Sequence, residues 1–263
     1  MKSLKTLSIF SLVFTLAACG NLRIKADQTY MPSAEVKNAA LLTFYVAPPV
    51  LPEVPAADAK AFNDKVFALS TKLNESLQAS SDRYYQTLAN GLRLQLGVNI
   101  LYGKSLQERP RFDRLKQKED LSGLSITGEK KFPKIQISEG GLHLFEIENG
   151  DLKAYIEGNP RMRGAIRNAI KSLDCELVAF AYARPVIDRV TTFGAKANLR
   201  LLVDIYLYNA NGELAGHTYG ETVPIAIDGE ELSDYQGVLD LYAALQTEML
   251  TALTATSEEE DEE

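Results

Sequence analysis

Leu199, Leu201, Val203, Ile205 and Leu207 are apolar at every second position, and Arg200, Asp204, Tyr206 and Tyr208 fill most of the places between. A period of two sends alternate side chains to opposite faces of an extended chain, so the stretch reads as a half-buried β-strand. Asn209-Ala210-Asn211-Gly212 then turns the chain, and Glu213 to Val223 is expected to return antiparallel. Just upstream, Glu176 to Tyr182 reads as a further strand, ended by Pro185. A sheet of this kind has to bury its apolar face under a second layer.

Helices are available to form that layer. Ala39 to Val46 is a continuous apolar run, the pattern of a strand buried on both faces, and Pro48, Pro49, Pro52 and Pro55 stop it. Phe62, Val66, Leu69, Leu73 and Leu77 recur at three- and four-residue spacing, and Ser80-Ser81-Asp82 interrupts the helix they define. Tyr84, Leu88, Leu92 and Leu96 carry a second stripe up to Gly97. Val98 to Tyr102, Ile135 to Ile137, Leu142 to Ile147 and Leu152 to Ile156 read as short strands, the last two joined through Asn149-Gly150, a tight-turn dipeptide. Asn159 caps a helix with Pro160 at its first position, and Met162, Ile166, Ile170 and Leu173 form its apolar stripe. Arg163, Arg167 and Lys171 line another face of it, either as a solvated face or as a basic docking ridge. Ser233-Asp234-Tyr235-Gln236 is a capping box for a last helix, with Val238, Leu241, Tyr242, Leu245 and Met249 as its buried stripe and an end near Ala255. These elements predict an α/β chain, with α+β as the variant. They form a two-layer mixed sheet with helices mainly on one face.

The first residues follow a different logic. Lys2 and Lys5 precede an apolar run from Leu7 to Leu16, about ten residues, which suits a cleaved leader and falls short of the roughly 20 residues a membrane-spanning helix needs. Leu16-Ala17-Ala18-Cys19 ends the run. This stretch resembles the lipobox of bacterial lipoproteins. The resemblance implies cleavage before Cys19, acyl (palmitate-type) chains on Cys19 and attachment to a membrane of the cell envelope. Each buried methylene contributes about 0.8 kcal/mol, so two or three chains hold stably where one does not. Gly20 rather than Asp after the cysteine points to the outer membrane, facing the periplasm; the inner membrane and the cell surface are the alternatives.

Charge narrows the partner class. Loss of Lys2 and Lys5 with the leader takes the net charge from −7 to −9, and six of those negative charges lie in Glu258 to Glu263, leaving the body at −3. A near-balanced body with an acidic end gives nucleic-acid binding no support. The sequence therefore divides into a leader over 1–18, a polar tether over 19–37, one α/β domain over 38–255 with a loop insertion at 104–131, and a disordered acidic tail over 256–263. The insertion holds Arg109, Arg111, Arg114 and Lys116, which either touch anionic headgroups or a partner at ~1 kcal/mol per charge or remain solvated.

Catalytic motifs are missing from the sequence: it has no Gly-x-Ser-x-Gly elbow, phosphate-binding glycine loop or dinucleotide fingerprint. His143 and His217 are the chain's two histidines, and pairs such as Glu146 with Glu148 are expected by chance among 35 acids. With Cys19 acylated, Cys175 is left without a disulfide partner and reads as a small buried residue. No catalytic, cofactor-binding or metal-ligating residue is expected.

The segment from Leu173 to Tyr219, with its Asn-Gly-Glu-Leu hairpin, resembles the α/β module of envelope lipoproteins such as the curli secretion channel component, the N-terminal domain of the Tol–Pal translocation protein and the penicillin-binding-protein activators. The strand Leu41 to Val46 and the helix end Leu92-Arg93-Leu94-Gln95-Leu96 fit the opening of that module, so the likeness covers about half of the mature chain. It implies a non-catalytic interaction or assembly module that binds an envelope protein or itself. Such a module needs an exposed apolar or aromatic patch, for which Tyr206 and Tyr208 on the sheet's other face are the candidates. The alternatives are a carrier of lipid or another apolar ligand, held between the Phe62–Leu96 helices and the sheet, and a cell-wall hydrolase.

Overall fold

The computed structural model describes residues 22–46, 81–115, 125–127, 130–132, 136–137, 156–190, 196–228 and 235–255. In chain order the elements are β1 (Leu22–Gln28), β2 (Asn38–Val46), α1 (81–96), β3 (Asn99–Leu101), α2 (Gly103–Gln107), α3 (Phe112–Leu115), β4 (Ser125–Thr127), β5 (Lys130–Phe132), β6 (Gln136–Ile137), α4 (Pro160–Leu173), β7 (Leu177–Val190), β8 (Lys196–Asn209), β9 (Leu214–Thr222), β10 (Ile225–Asp228) and α5 (Tyr235–Thr254). Eight of the strands form a mixed sheet whose main path runs β1-β9-β8-β7-β2-β3; β10 is paired to β8 and β6 to β2. The expected α/β class holds, with helices packed on a mixed sheet.

The apolar run from Ala39 to Val46 becomes a central strand. It lies parallel to β3 on one side and to β7 on the other, and every residue from Ala39 to Val46 is buried. Parallel neighbours need a crossover, and a one-handed crossover that reverses direction across β2 has to change face. So α1, between β2 and β3, lies on one face, and α4, between β3 and β7, lies on the other. A bulge between Leu41 and Thr43 shifts the alternation, so that Phe44 and Val46 share the face of Ala39 and Leu41.

The two faces are filled in complementary ways. On the α1/α5 face, β7 presents Ala179, Ala181 and Ala183, which leaves depth for large side chains above. Tyr84 and Tyr242 meet there at 4.1 Å between ring centroids, tilted by 45°, with Phe44 edge-on to Tyr242 at 5.4 Å. On the α4 face, β7 and β8 present Phe180, Tyr182, Tyr206 and Tyr208, while Ile166, Ala169 and Ile170 come from the helix. The predicted stripes of α1 and α4 are the buried ones. Asn159 caps α4 by accepting from Arg161 N at 3.0 Å, with Pro160 opening the helix as predicted. Tyr242, Leu245 and Met249 of the last helix are also buried. The helix at Phe62–Leu77, the Asn149-Gly150 turn, Ser233, His143, Glu146, Glu148 and the acidic tail lie outside the described residues.

Four expectations are corrected. The tether over 19–37 gives way at residues 22–28, which form β1 antiparallel to β9, with Leu22 and Ile24 packed against the core. Pro185 does not end its strand; β7 runs to Val190, and among the described residues the pairing of β7 with β2 ends at Ala183, so the missing N–H of Pro185 lies beyond that ladder. The insertion at 104–131 is not simply a loop. Leu106, Phe112 and Leu115 pin α2 and α3 into the core below α4, and β4 pairs with β5. Tyr206 and Tyr208 are buried, at 2% and 1% exposed, in a cluster they share with α2, α3 and α4 on the face where they were expected to be free.

Candidate functional site

The described candidates divide into a buried polar cluster and an exposed basic surface. Period-two alternation places Asp204 and Tyr206 of β8 on the α4 face, and the antiparallel register brings His217 of β9 opposite Tyr206. The rings of Tyr206 and His217 stack at 4.5 Å with an 11° interplanar angle. His217 Nε2 donates to Asp204 Oδ1 at 2.9 Å, since a carboxylate only accepts. Its Nδ1 lies 3.0 Å from Asp27 Oδ2 of β1, outside hydrogen-bond alignment. Arg184 of β7 donates through Nη2 to the second oxygen of Asp204 at 3.3 Å and lies 5.6 Å over the Tyr182 ring. Asp204 and His217 are each 4% exposed. Four neighbouring strands, β7, β8, β9 and β1, are thus joined through one polar set, in which Asp204 and His217 are buried, Arg184 is half-buried and Asp27 sits at the exposed rim.

The cluster has graded electrostatics. The hydrogen bond from Lys25, 2.6 Å away, draws the Asp27 carboxyl below its ordinary value; burial opposes this, and His217 adds to it. Burial pushes the Tyr182 hydroxyl up to about 12. Tyr219, which donates to Glu221 at 3.2 Å, is also pushed up to about 12, by burial first and then by that carboxylate. Glu221 is paired with Arg200 as well. General acid–base chemistry needs a nitrogen that can reach a substrate proton. Here both nitrogens of His217 face carboxylates of the chain itself, so the residue serves as a clasp. Among the described residues no group of three His, Cys, Asp or Glu is arranged to hold a metal ion. Cys175 is buried at the α4–β7 junction, as expected, and burial pushes its thiol up to about 12.

The basic surface lies on the outer side of α3 and α4. Arg111 and Arg114 are exposed around α3 and Arg109 is half-buried; Lys116 lies outside the described residues. Phe112 and Leu115, in the core, hold α3 beside α4 and so turn these arginines outward. Arg161, Arg163, Arg167 and Lys171 are exposed on α4. Sequence reasoning weighed the 109–116 and 163–171 cations separately, and the fold puts them on neighbouring helices. It missed the His217 clasp because Asp27 lies 190 residues upstream of His217, in a stretch too polar to read as core. A signal was nonetheless present in β8, where Asp204 stands among large apolar and aromatic residues.

In the described part of this layer, α5 packs closely against α1 and against β9 at two glycines. A Cβ on Gly91 of α1 would meet Leu250 at 2.5 Å, and one on Gly220 of β9 would meet Met249 at 2.5 Å. No helix among the described residues is long and apolar enough to cross a membrane.

No protein-family model matches the chain, and no curated protein matches it. Among solved structures it is similar to the PelC dodecamer from Paraburkholderia phytofirmans, at 12% identity and a TM-score of 0.32, over 90% of this chain and 99% of that one. It is also similar to the Evf virulence factor, at 8% identity and a TM-score of 0.29, over 95% of this chain and 93% of that one. Likeness at this level leaves the functional reading to the residues of the chain itself.

Proposed function

We propose that this protein is a lipid-anchored component of the bacterial cell envelope, held by acyl chains on Cys19 and acting as a non-catalytic interaction or assembly module. The observation that carries the reading is Leu16-Ala17-Ala18-Cys19 at the end of a short apolar leader. The engagement of His217 with Asp204 and Asp27 supports a binding role over a hydrolytic one. The contact surface is the basic face of α3 and α4. Arg163 and Arg167 lie against Gly212 in the β8–β9 turn, the end of the sheet farthest from Leu22. On an anchored chain they point away from the bilayer, toward an acidic surface on an envelope partner or a second copy.

The test has two parts. Metabolic labelling with a fatty-acid analogue marks the wild-type chain and leaves Cys19→Ala unmarked; an unmarked wild-type chain ends the anchored reading. A photocrosslinker at position 167 in intact cells yields discrete adducts that disappear in Arg111→Glu/Arg163→Glu. Adducts unaffected by that charge reversal, or none at all, overturn the assignment of this face.

A further inference from the structure

The attachment point and the shape of the sheet together specify which end of the domain meets the membrane. Gly20 and Asn21 alone separate Cys19 from Leu22, the first residue of β1. Three residue steps span at most about 11 Å. Leu22 pairs with Thr222, and the Thr222 hydroxyl accepts from Leu201 N at 2.9 Å, so Leu22, Thr222 and Leu201 stand level across three strands. The sheet does not stop at that level. β8 begins at Lys196, five residues earlier, which at about 3.4 Å per residue carries it about 17 Å past Leu22.

That extension is a built element. Leu199, Asn198, Ala197 and Lys196 of β8 pair with Ile225, Ala226, Ile227 and Asp228 of β10 on one side. On the other side, Leu199, Asn198 and Ala197 pair with Ile187, Arg189 and Val190 of β7. Three hydrogen-bonded strands therefore project beyond the start of β1 as a stiff prong. The excess of its 17 Å over the 11 Å reach of the chain is about the depth of one headgroup layer.

We propose that this prong, β10 with the outer ends of β7 and β8, rests in the phospholipid headgroup layer of the anchoring membrane. The inference rests on acylation at Cys19. Upright, the prong reaches the headgroups because the chain before Leu22 is shorter than it is; tilted, the domain lays the same three strands along the surface. The β8–β9 turn lies at the opposite end of β8, twelve residues from Asn198 and so about 40 Å away. It faces away from the lipid.

The experiment places one fluorophore at each end of the acylated full-length chain. Ala226→Cys and Pro224→Cys label the prong end and Ala210→Cys the turn, all at exposed positions, while Cys175 is buried. Each protein is reconstituted into phosphatidylethanolamine and phosphatidylglycerol vesicles carrying a headgroup-nitroxide lipid. The expected result is flotation of all three with the vesicles and several-fold stronger quenching at positions 226 and 224 than at 210. Flotation with equal quenching at both ends, with stronger quenching at 210, or with no quenching at either, overturns the prong contact and leaves the anchor intact. Failure to float overturns the anchored reading itself, and the prong contact with it.

Discussion

At the residue scale, Asp204 is the charge on which the polar cluster depends. It accepts from His217 with one oxygen, inside the fold, and from Arg184 with the other, in a part-buried bond. Removing one partner of a buried, hydrogen-bonded charge set leaves the others unpaired, which costs more than the bonds were worth. Asp204→Ala is expected to lower unfolding stability by about 2–4 kcal/mol in urea titrations. In a double-mutant cycle with His217→Ala, the two losses should fall short of additivity by about 1 kcal/mol or more; simple addition would show that the two side chains do not cooperate. Asp27 gives a separate pH signature. Its native carboxyl is held below the ordinary value, so its contribution is fully present above the unfolded pKa of about 4 and is lost as pH falls through the native value. Acid titration of stability should therefore be flatter below about pH 4 in Asp27→Asn than in wild type. Equal slopes would remove Asp27 from the clasp.

At the element scale, the β8–β9 turn shows how closely local sequence and packing agree. Asn209 Oδ1 accepts from Asn211 N and Glu213 N, and Gly212 adopts φ +71°. A Cβ at Gly212 would also meet the Arg163 carbonyl oxygen of α4 at 2.8 Å. Gly212→Ala combines a left-handed backbone cost with a backbone clash, and a loss of about 1–3 kcal/mol is expected, read as a drop in melting temperature. An unchanged melting temperature would mean that the α4 contact yields freely. Asn209-Ala210-Asn211-Gly212, the alternation through β8, and the Asn159-Pro160 start of α4 were all legible because each is decided by local chemistry. The missed features are those decided by distant chain. Residues 22–28 alternate Leu22, Ile24 and Ala26 with Arg23, Lys25 and Asp27, but the pattern is short and polar, and only β9 makes it a strand. Tyr206 and Tyr208 read as a free face until α4, α2 and α3 cover part of it. Pro185 looked like a stop because the end of the β2–β7 ladder at Ala183 cannot be seen from the residues around the proline.

For the whole molecule, β1 is the edge that closes the sheet. It pairs with β9, packs under α5, and brings Asp27 to His217. Deleting residues 22–28 would uncover the ladder groups of β9 and leave one side of His217 without its carboxylate. Exposed edges recruit other strands. The deletion is expected to lower the melting temperature and to produce concentration-dependent association on a sizing column, whereas a true linker could be removed without either effect. A melting temperature and a monomer–oligomer balance equal to wild type would return this stretch to the status of a spacer. The early start of this ladder also affects motion. On an acylated Cys19, a body joined to its lipid by two intervening residues has almost no leash on which to swivel. Its encounters with neighbours are then governed by drift within the plane of the bilayer, and it samples a thin slab above that plane instead of a wide hemisphere.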